Sequence, residues 1–161
     1  MTDQRTSVLD AVTTAVASAP DAQSAAESTV RLLAERLPHY TWTGIYVLDG
    51  NELYLGPYVG KPSPHTRIPL GRGICGAAAS EKTSIIVDDV NADPRYLACS
   101  IETRSEIVVP IMLDGAVLGE LDIDSDTPKA FTDEDRELLE RVAAVLAPKL
   151  ASSHIRPTSH P

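Results

Sequence analysis

The chain has 161 residues and a formal net charge of −9, which fits one domain and excludes two classes of partner: nucleic acid and anionic membrane both need a basic patch. An apolar fraction of 43% with 23% charged residues is that of an ordinary globular protein, and no apolar run is long enough to cross a bilayer. The opening Met1-Thr2-Asp3-Gln4-Arg5 carries no secretory signal, so a cytoplasmic, reducing setting is expected, and there two cysteines are expected free or redox-active.

Apolar residues Val8, Leu9, Val12 and Val16 recur at helical spacing over about 7–17. Pro20-Asp21 breaks that pattern, and Asp21 caps a second helix carrying Ala25, Val30, Leu32, Leu33 and Leu37, closed by Pro38. From Thr41 the period changes to two. Trp42, Gly44, Tyr46 and Leu48 alternate with Thr43, Ile45 and Val47, and a turn at Asp49-Gly50-Asn51 leads into a return strand through Leu53 and Leu55. After a Pro/Gly-rich loop at 60–64, a short strand at 66–69 precedes a small-residue helix from about Ile74 to Ser80. Ser84 to Val87 reads as a strand, and Asp88 to Ser100 as a long loop, a feature that in a compact domain usually serves function. Asp114-Gly115 joins strands 106–113 and 116–124, the strongest hairpin signal in the chain. Thr132 caps a final helix whose first turn is acidic and whose apolar face is Leu138, Leu139, Val142, Val145 and Leu146. The expected class is therefore α+β: an antiparallel sheet with helices at both chain ends.

Chemistry concentrates at a few positions. Cys75 lies in Gly71-Arg72-Gly73-Ile74-Cys75-Gly76, near the predicted start of a helix, where backbone N–H groups favour a thiolate. Cys99 ends the long loop, with Arg95 and Arg104 within five residues. The residues alone leave two readings open, a reactive pair or two small apolar fillers. Asp122 and Asp124 are two apart on a strand and share a face, and Glu106 begins the strand paired with it. Acids crowded at one sheet end take up a cation or keep a proton, which suits a substrate ammonium or a general acid; a solvated strand end is the plain alternative. Trp42 and Tyr46 share a face and could wall a pocket or simply pack. The glycine segment lacks the phosphate-loop pattern, and neither cysteines nor histidines show metal-ligand spacing, so no metal or bound cofactor is expected.

Taken in order, Trp42-Thr43-Gly44-Ile45-Tyr46, Leu55-Gly56-Pro57-Tyr58, Gly60-Lys61-Pro62, Arg67-Ile68-Pro69, Gly71-Arg72-Gly73-Ile74-Cys75-Gly76, Ala98-Cys99, Ser105-Glu106-Ile107-Val108-Val109-Pro110 and Leu121-Asp122-Ile123-Asp124-Ser125 resemble the free methionine-(R)-sulfoxide reductases, single GAF-domain enzymes, over about residues 25–150. The resemblance implies a GAF-like antiparallel sheet with N- and C-terminal helices packed on one face. With it the chain divides into an N-terminal helix (1–20), the GAF domain (21–151) and a tail (152–161) whose Ser, His, Pro and Thr content predicts disorder. It further implies Cys99 as the nucleophile toward sulfoxide sulfur and Cys75 as its resolving partner through a disulfide. Glu106, Asp122 and Asp124 would hold the substrate and protonate its oxygen, with Glu106 and Asp124 counted among the catalytic groups, while Trp42 and Tyr46 would line the methyl-sulfur end. Implied partners are free methionine sulfoxide, thioredoxin or a similar dithiol as reductant, and a second copy in a homodimer, in a role against oxidative stress. Many family members carry a third cysteine in the loop after the Gly-Lys pair; here that loop reads Ser63-Pro64-His65-Thr66, with His65 roughly at that place. The alternative function is a non-catalytic GAF module that binds a small ligand. The apolar stripe of the first helix serves either a dimer contact or the chain's own core.

Overall fold

A computed structural model of the chain describes residues 1–97 and 100–158. Among the described residues ten α-helices and β-strands follow in order: α1 (Asp3–Ser18), α2 (Ala22–Arg36), β1 (Trp42–Asp49), β2 (Glu52–Val59), β3 (Arg67–Pro69), α3 (Gly73–Glu81), β4 (Ile85–Val87), β5 (Ser105–Leu113), β6 (Ala116–Ser125) and α4 (Asp133–Ser152). The strands form one antiparallel sheet ordered β3-β2-β1-β6-β5-β4. The α+β, GAF-like expectation holds, including the terminal helices on one face.

Local chemistry sets the element ends. Asp21 Oδ1 accepts the Ser24 N–H (2.8 Å) and starts α2, while Asp135 accepts the Thr132 N–H (2.9 Å) at the head of α4. The turn between β5 and β6 needs positive φ at both central residues, and Asp114 (52°) and Gly115 (80°) supply it. α1 begins at Asp3, earlier than the apolar period suggests, because Thr2 caps it and accepts from Arg5 N–H.

The period-two strands separate two cores. On one face Ile45, Ile107, Val109, Ile111, Leu121 and Ile123 pack under α1, α2 and α4. Val8, Val12 and Val16 belong to this core, so the stripe of α1 is spent inside the chain. On the other face Trp42, Tyr46, Leu53, Leu55 and Val108 meet Ile74, Cys75, Ala78 and Ala79 of α3.

The stretch after α4 departs from the expected disorder over residues 153–158. Ile155 is buried, and its carbonyl accepts the Tyr54 hydroxyl (2.6 Å). Thr158 N–H donates to the Leu55 carbonyl (2.7 Å), and Arg156 N–H to Gln23 Oε1 (2.8 Å). Gly56 leaves the space that Ile155 fills, since a Cβ there would stand 3.0 Å from the Ile155 Cγ2. Composition flagged the Ser/Pro/His content of the tail and overlooked one isoleucine with a socket waiting for it. Among the described residues, no helix is long and apolar enough to cross a membrane.

Candidate active site

The register across β1, β6 and β5 stacks the polar residues in rows on the α3 side of the sheet. Trp42, Asp124 and Glu106 are cross-strand partners in one row; Gly44, Asp122 and Val108 form the next; Tyr46, Glu120 and Pro110 form the third. Period-two geometry thus brings Glu106, Asp122 and Asp124 together, as their spacing implied. Each is at most 5% exposed.

Gly44 is what lets the aromatic wall close over this face. A Cβ at that position would overlap the Trp42 indole, which lies across the glycine. The indole N–H donates to the Lys61 carbonyl (2.9 Å), and the ring stacks on Tyr58 with centroids 5.6 Å apart. Tyr46 lies 6.5 Å from Trp42 between ring centroids, and its hydroxyl donates to the His65 carbonyl (2.7 Å). Both aromatics therefore line the site and also hold the loop between β2 and β3 by their polar tips.

Two cavities follow one another along β6. The larger, about 140 Å³, opens at Asp124 and is lined by Thr41, Trp42, Lys61, Glu102 and Asp126 among others. The smaller, about 20 Å³, is lined by Tyr46, His65, Cys75, Leu97, Glu106 and Asp122. Its volume suits one atom-sized guest.

Cys75 sits in the first turn of α3, and its Sγ–H donates to Asp122 Oδ2 at 3.3 Å. The expectation that the helix N-terminus favours a thiolate here is overturned. Burial, followed by the carboxylates of Asp122, Glu120 and Glu106, pushes the Cys75 thiol well above its ordinary range. A helix terminus contributes about 0.3–1 kcal/mol to an anion, whereas removing a charge from water costs several kcal/mol, so burial wins. Cys75 is a thiol at rest.

The acids are shifted the same way. Burial raises Asp124 well above the carboxylate range, and the negative charge of Asp122 adds to this. Burial also raises Asp122, against the opposing hydrogen bonds from Glu106 and Cys75. Glu120, absent from the sequence-based site, is wholly buried and held far above its usual range by burial and by Asp122. Its signal was present in the sequence: it precedes Asp122 by two on the same strand and so shares its face. The site is a buried cluster of carboxyl groups, in which burial favours the protonated form of Glu120, Asp122 and Asp124, beside a thiol and an aromatic wall.

The Sγ of Cys75 and carboxylate oxygens of Glu106 and Asp122 lie within 4.8 Å of one another. Cys99 falls outside the described residues. Leu97 packs on Gly73, where a Cβ would overlap it, and beyond Cys99 the Ser100 carbonyl accepts the Thr103 N–H.

Comparison with known proteins adds an independent line. The GAF domain family model matches residues 21–150. The chain is 40% identical over 126 residues to the free methionine-R-sulfoxide reductase of Escherichia coli, covering 78% of this chain and 76% of that one. The structure superposes on that of free methionine-R-sulfoxide reductase from Neisseria meningitidis in complex with its substrate with a TM-score of 0.87 at 35% identity, covering 94% and 92% of the two chains. It superposes on type II free methionine-R-sulfoxide reductase from Thermoplasma acidophilum with a TM-score of 0.78 at 40% identity, covering 80% and 92%.

Proposed function

The chain belongs to the GAF-domain family and, within it, to the free methionine-R-sulfoxide reductases, and on that premise we propose that it reduces free L-methionine-(R)-sulfoxide to L-methionine with thiol chemistry centred on Cys99. The observation that supports this best is the buried acid cluster beneath Trp42 and Tyr46: a sulfoxide oxygen leaves only if it is protonated, and Glu106 and Asp122, which line the cavity at Cys75, are buried acids able to do it, leaving Asp124 to the substrate ammonium.

In this reading the substrate ammonium is received at Asp124, whose Oδ1 is buried without a hydrogen-bond partner among the described residues, next to the larger cavity. Trp42 and Tyr46 hold the methyl-sulfur end. The Cys99 thiolate attacks the sulfoxide sulfur, the cluster gives up a proton to the oxygen, and the hydroxyl passes from the substrate sulfur to the Cys99 sulfur as the bond between the two sulfurs breaks, so that methionine departs and Cys99 becomes a sulfenic acid. Cys75, protonated and buried, is a poor first nucleophile and a suitable second one: Asp122 takes its proton at 3.3 Å, Sγ attacks the Cys99 sulfur, the S–O bond breaks, and the departing hydroxide takes that proton from Asp122 and leaves as water. Thioredoxin or a similar dithiol then restores both thiols. No third thiol is needed at His65, and a reducing cytoplasm is the fitting compartment. A homodimer, if formed, uses a face other than the stripe of α1, which is already buried.

Preference for the free amino acid follows from the same charge accounting. Peptide-bound methionine offers no ammonium, and leaving a buried acid unpaired costs about 1–3 kcal/mol. Purified protein is incubated with a dithiol and either epimer of free methionine sulfoxide, or with a peptide sulfoxide, and methionine is quantified. Turnover of the free R epimer alone is the expected result. Saturable binding of the sulfoxide without any product would instead make the chain a ligand-binding GAF module.

A further inference from the structure

The proposed reaction gives Glu120 no part in holding the substrate or protonating the sulfoxide, yet it is buried as deeply as the acids to which it gives those roles. Its side chain is 0% exposed, and neither Oε1 nor Oε2 has a hydrogen-bond partner among the described residues. It shares the face of β6 with Asp122, stands opposite Tyr46 on β1, and lies close enough to Cys75 to act on its thiol. An unpaired buried acid destabilises the fold, and an apolar side chain of similar size would not. The fold has no use for this carboxyl; the thiol beside it does.

We propose that Glu120 is the proton donor to Cys75 when the Cys75–Cys99 disulfide is opened. This rests on the reading of Cys75 as the resolving cysteine. A thiolate of the external dithiol attacks the Cys99 sulfur and forms a bond to it. The Cys75–Cys99 bond breaks, and its electron pair stays on the Cys75 Sγ. That new thiolate faces Asp122 and Glu106, where negative charge is least tolerated. Asp122 is not the source of its proton: in forming the disulfide it took the proton of Cys75 across their 3.3 Å contact and passed it to the departing hydroxide, so it faces the new thiolate as a carboxylate. Glu106 is already engaged with Asp122 and Asp124. Glu120 is the remaining carboxyl against the thiol, and its O–H has no other acceptor. Its proton passes to Sγ, the thiol re-forms its bond to Asp122, and the Glu120 carboxylate regains a proton from solvent. The second thiol of the dithiol frees Cys99, so two electrons have moved from reductant to protein.

The test separates the two halves of the cycle in Glu120→Gln, which keeps size and polarity and carries no transferable carboxylic proton. One equivalent of R-sulfoxide is added without reductant, and methionine and the Cys75–Cys99 disulfide are quantified. The oxidised protein is then mixed with dithiothreitol, and the return of both thiols is timed. The first half still yields methionine and disulfide, whereas re-reduction slows by about a hundredfold, the scale of a lost general acid. Glu120→Asp recovers part of the rate. Glu120→Leu re-reduces as slowly as the Gln variant while melting at or above the wild-type temperature, an outcome a structural role would not give. Re-reduction of the Gln or Leu variant within about twofold of wild type overturns the proposal. A wild-type protein that makes methionine without the Cys75–Cys99 disulfide contradicts the role of Cys75 itself, a different failure.

Discussion

Asp124 is the residue on which substrate recognition and burial meet. Its carboxyl is 2% exposed, its Oδ1 has no partner among the described residues, and it borders the larger cavity beside Trp42. A group so placed is costly to the free protein and is repaid by a ligand that brings a cation. Asp124→Asn should therefore lower kcat/KM for the free R-sulfoxide by about 10²-fold, with much of the loss in KM, and should narrow the preference over peptide sulfoxide. Steady-state kinetics on both substrates checks this; unchanged discrimination would move ammonium recognition elsewhere. The same rows show what the sequence could and could not tell. Glu106, Asp122 and Asp124 were readable because strand periodicity alone places them together. The state of Cys75 was not: chain order puts it at a helix start, and only the packing of α3 on the sheet turns three carboxylates toward its sulfur.

At the scale of elements, one ion cluster ties both chain ends to the sheet. Asp135, in the first turn of α4, accepts hydrogen bonds from Arg5 Nη2 of α1 (2.9 Å), the Tyr40 hydroxyl (2.8 Å) and the Thr132 N–H (2.9 Å), with His39 Nε2 at 3.3 Å. Burial works against its charge, but the hydrogen bonds from His39, Thr132, Tyr40 and Arg5 outweigh it and hold the carboxyl well below the ordinary range. A depressed folded pKa gives stability that is fully present above the unfolded value of about 3.9 and is lost as pH falls below it. Thermal melts should show the wild type losing stability in that acid range. Asp135→Asn should melt lower at neutral pH, by a margin on the order of 3 kcal/mol, and lose less on acidification. An equal acid slope in both proteins would remove Asp135 from the account. The cap at Thr132 and the acids of the first turn were readable locally; the long-range partner Arg5 is invisible to any local pattern.

For the whole molecule, the family match and the folded unit differ in extent. The GAF model starts at residue 21 and stops at 150, yet Val8, Val12 and Val16 complete the helical core and Ile155 is buried against β2. Each buried valine contributes about 1.5–3 kcal/mol, so deleting residues 1–20 should uncover the core and produce a protein that melts far lower or fails to fold cooperatively. Calorimetry on the shortened chain decides; a wild-type melt would show that α1 is an appendage. Architecture was legible because hairpin turns, caps and two hydrophobic periods agree with one another along the whole chain. The tail was not, because its seat is made by Gly56 and Tyr54, about a hundred residues earlier in the sequence. The measurement closest to the central claim is a single turnover without reductant: one equivalent of free methionine-(R)-sulfoxide per chain, with methionine and free thiols counted. The account predicts close to one methionine per chain with loss of both thiols, and none from the Cys99→Ser protein. No methionine from the wild type, or the same yield after Cys99→Ser, would contradict it.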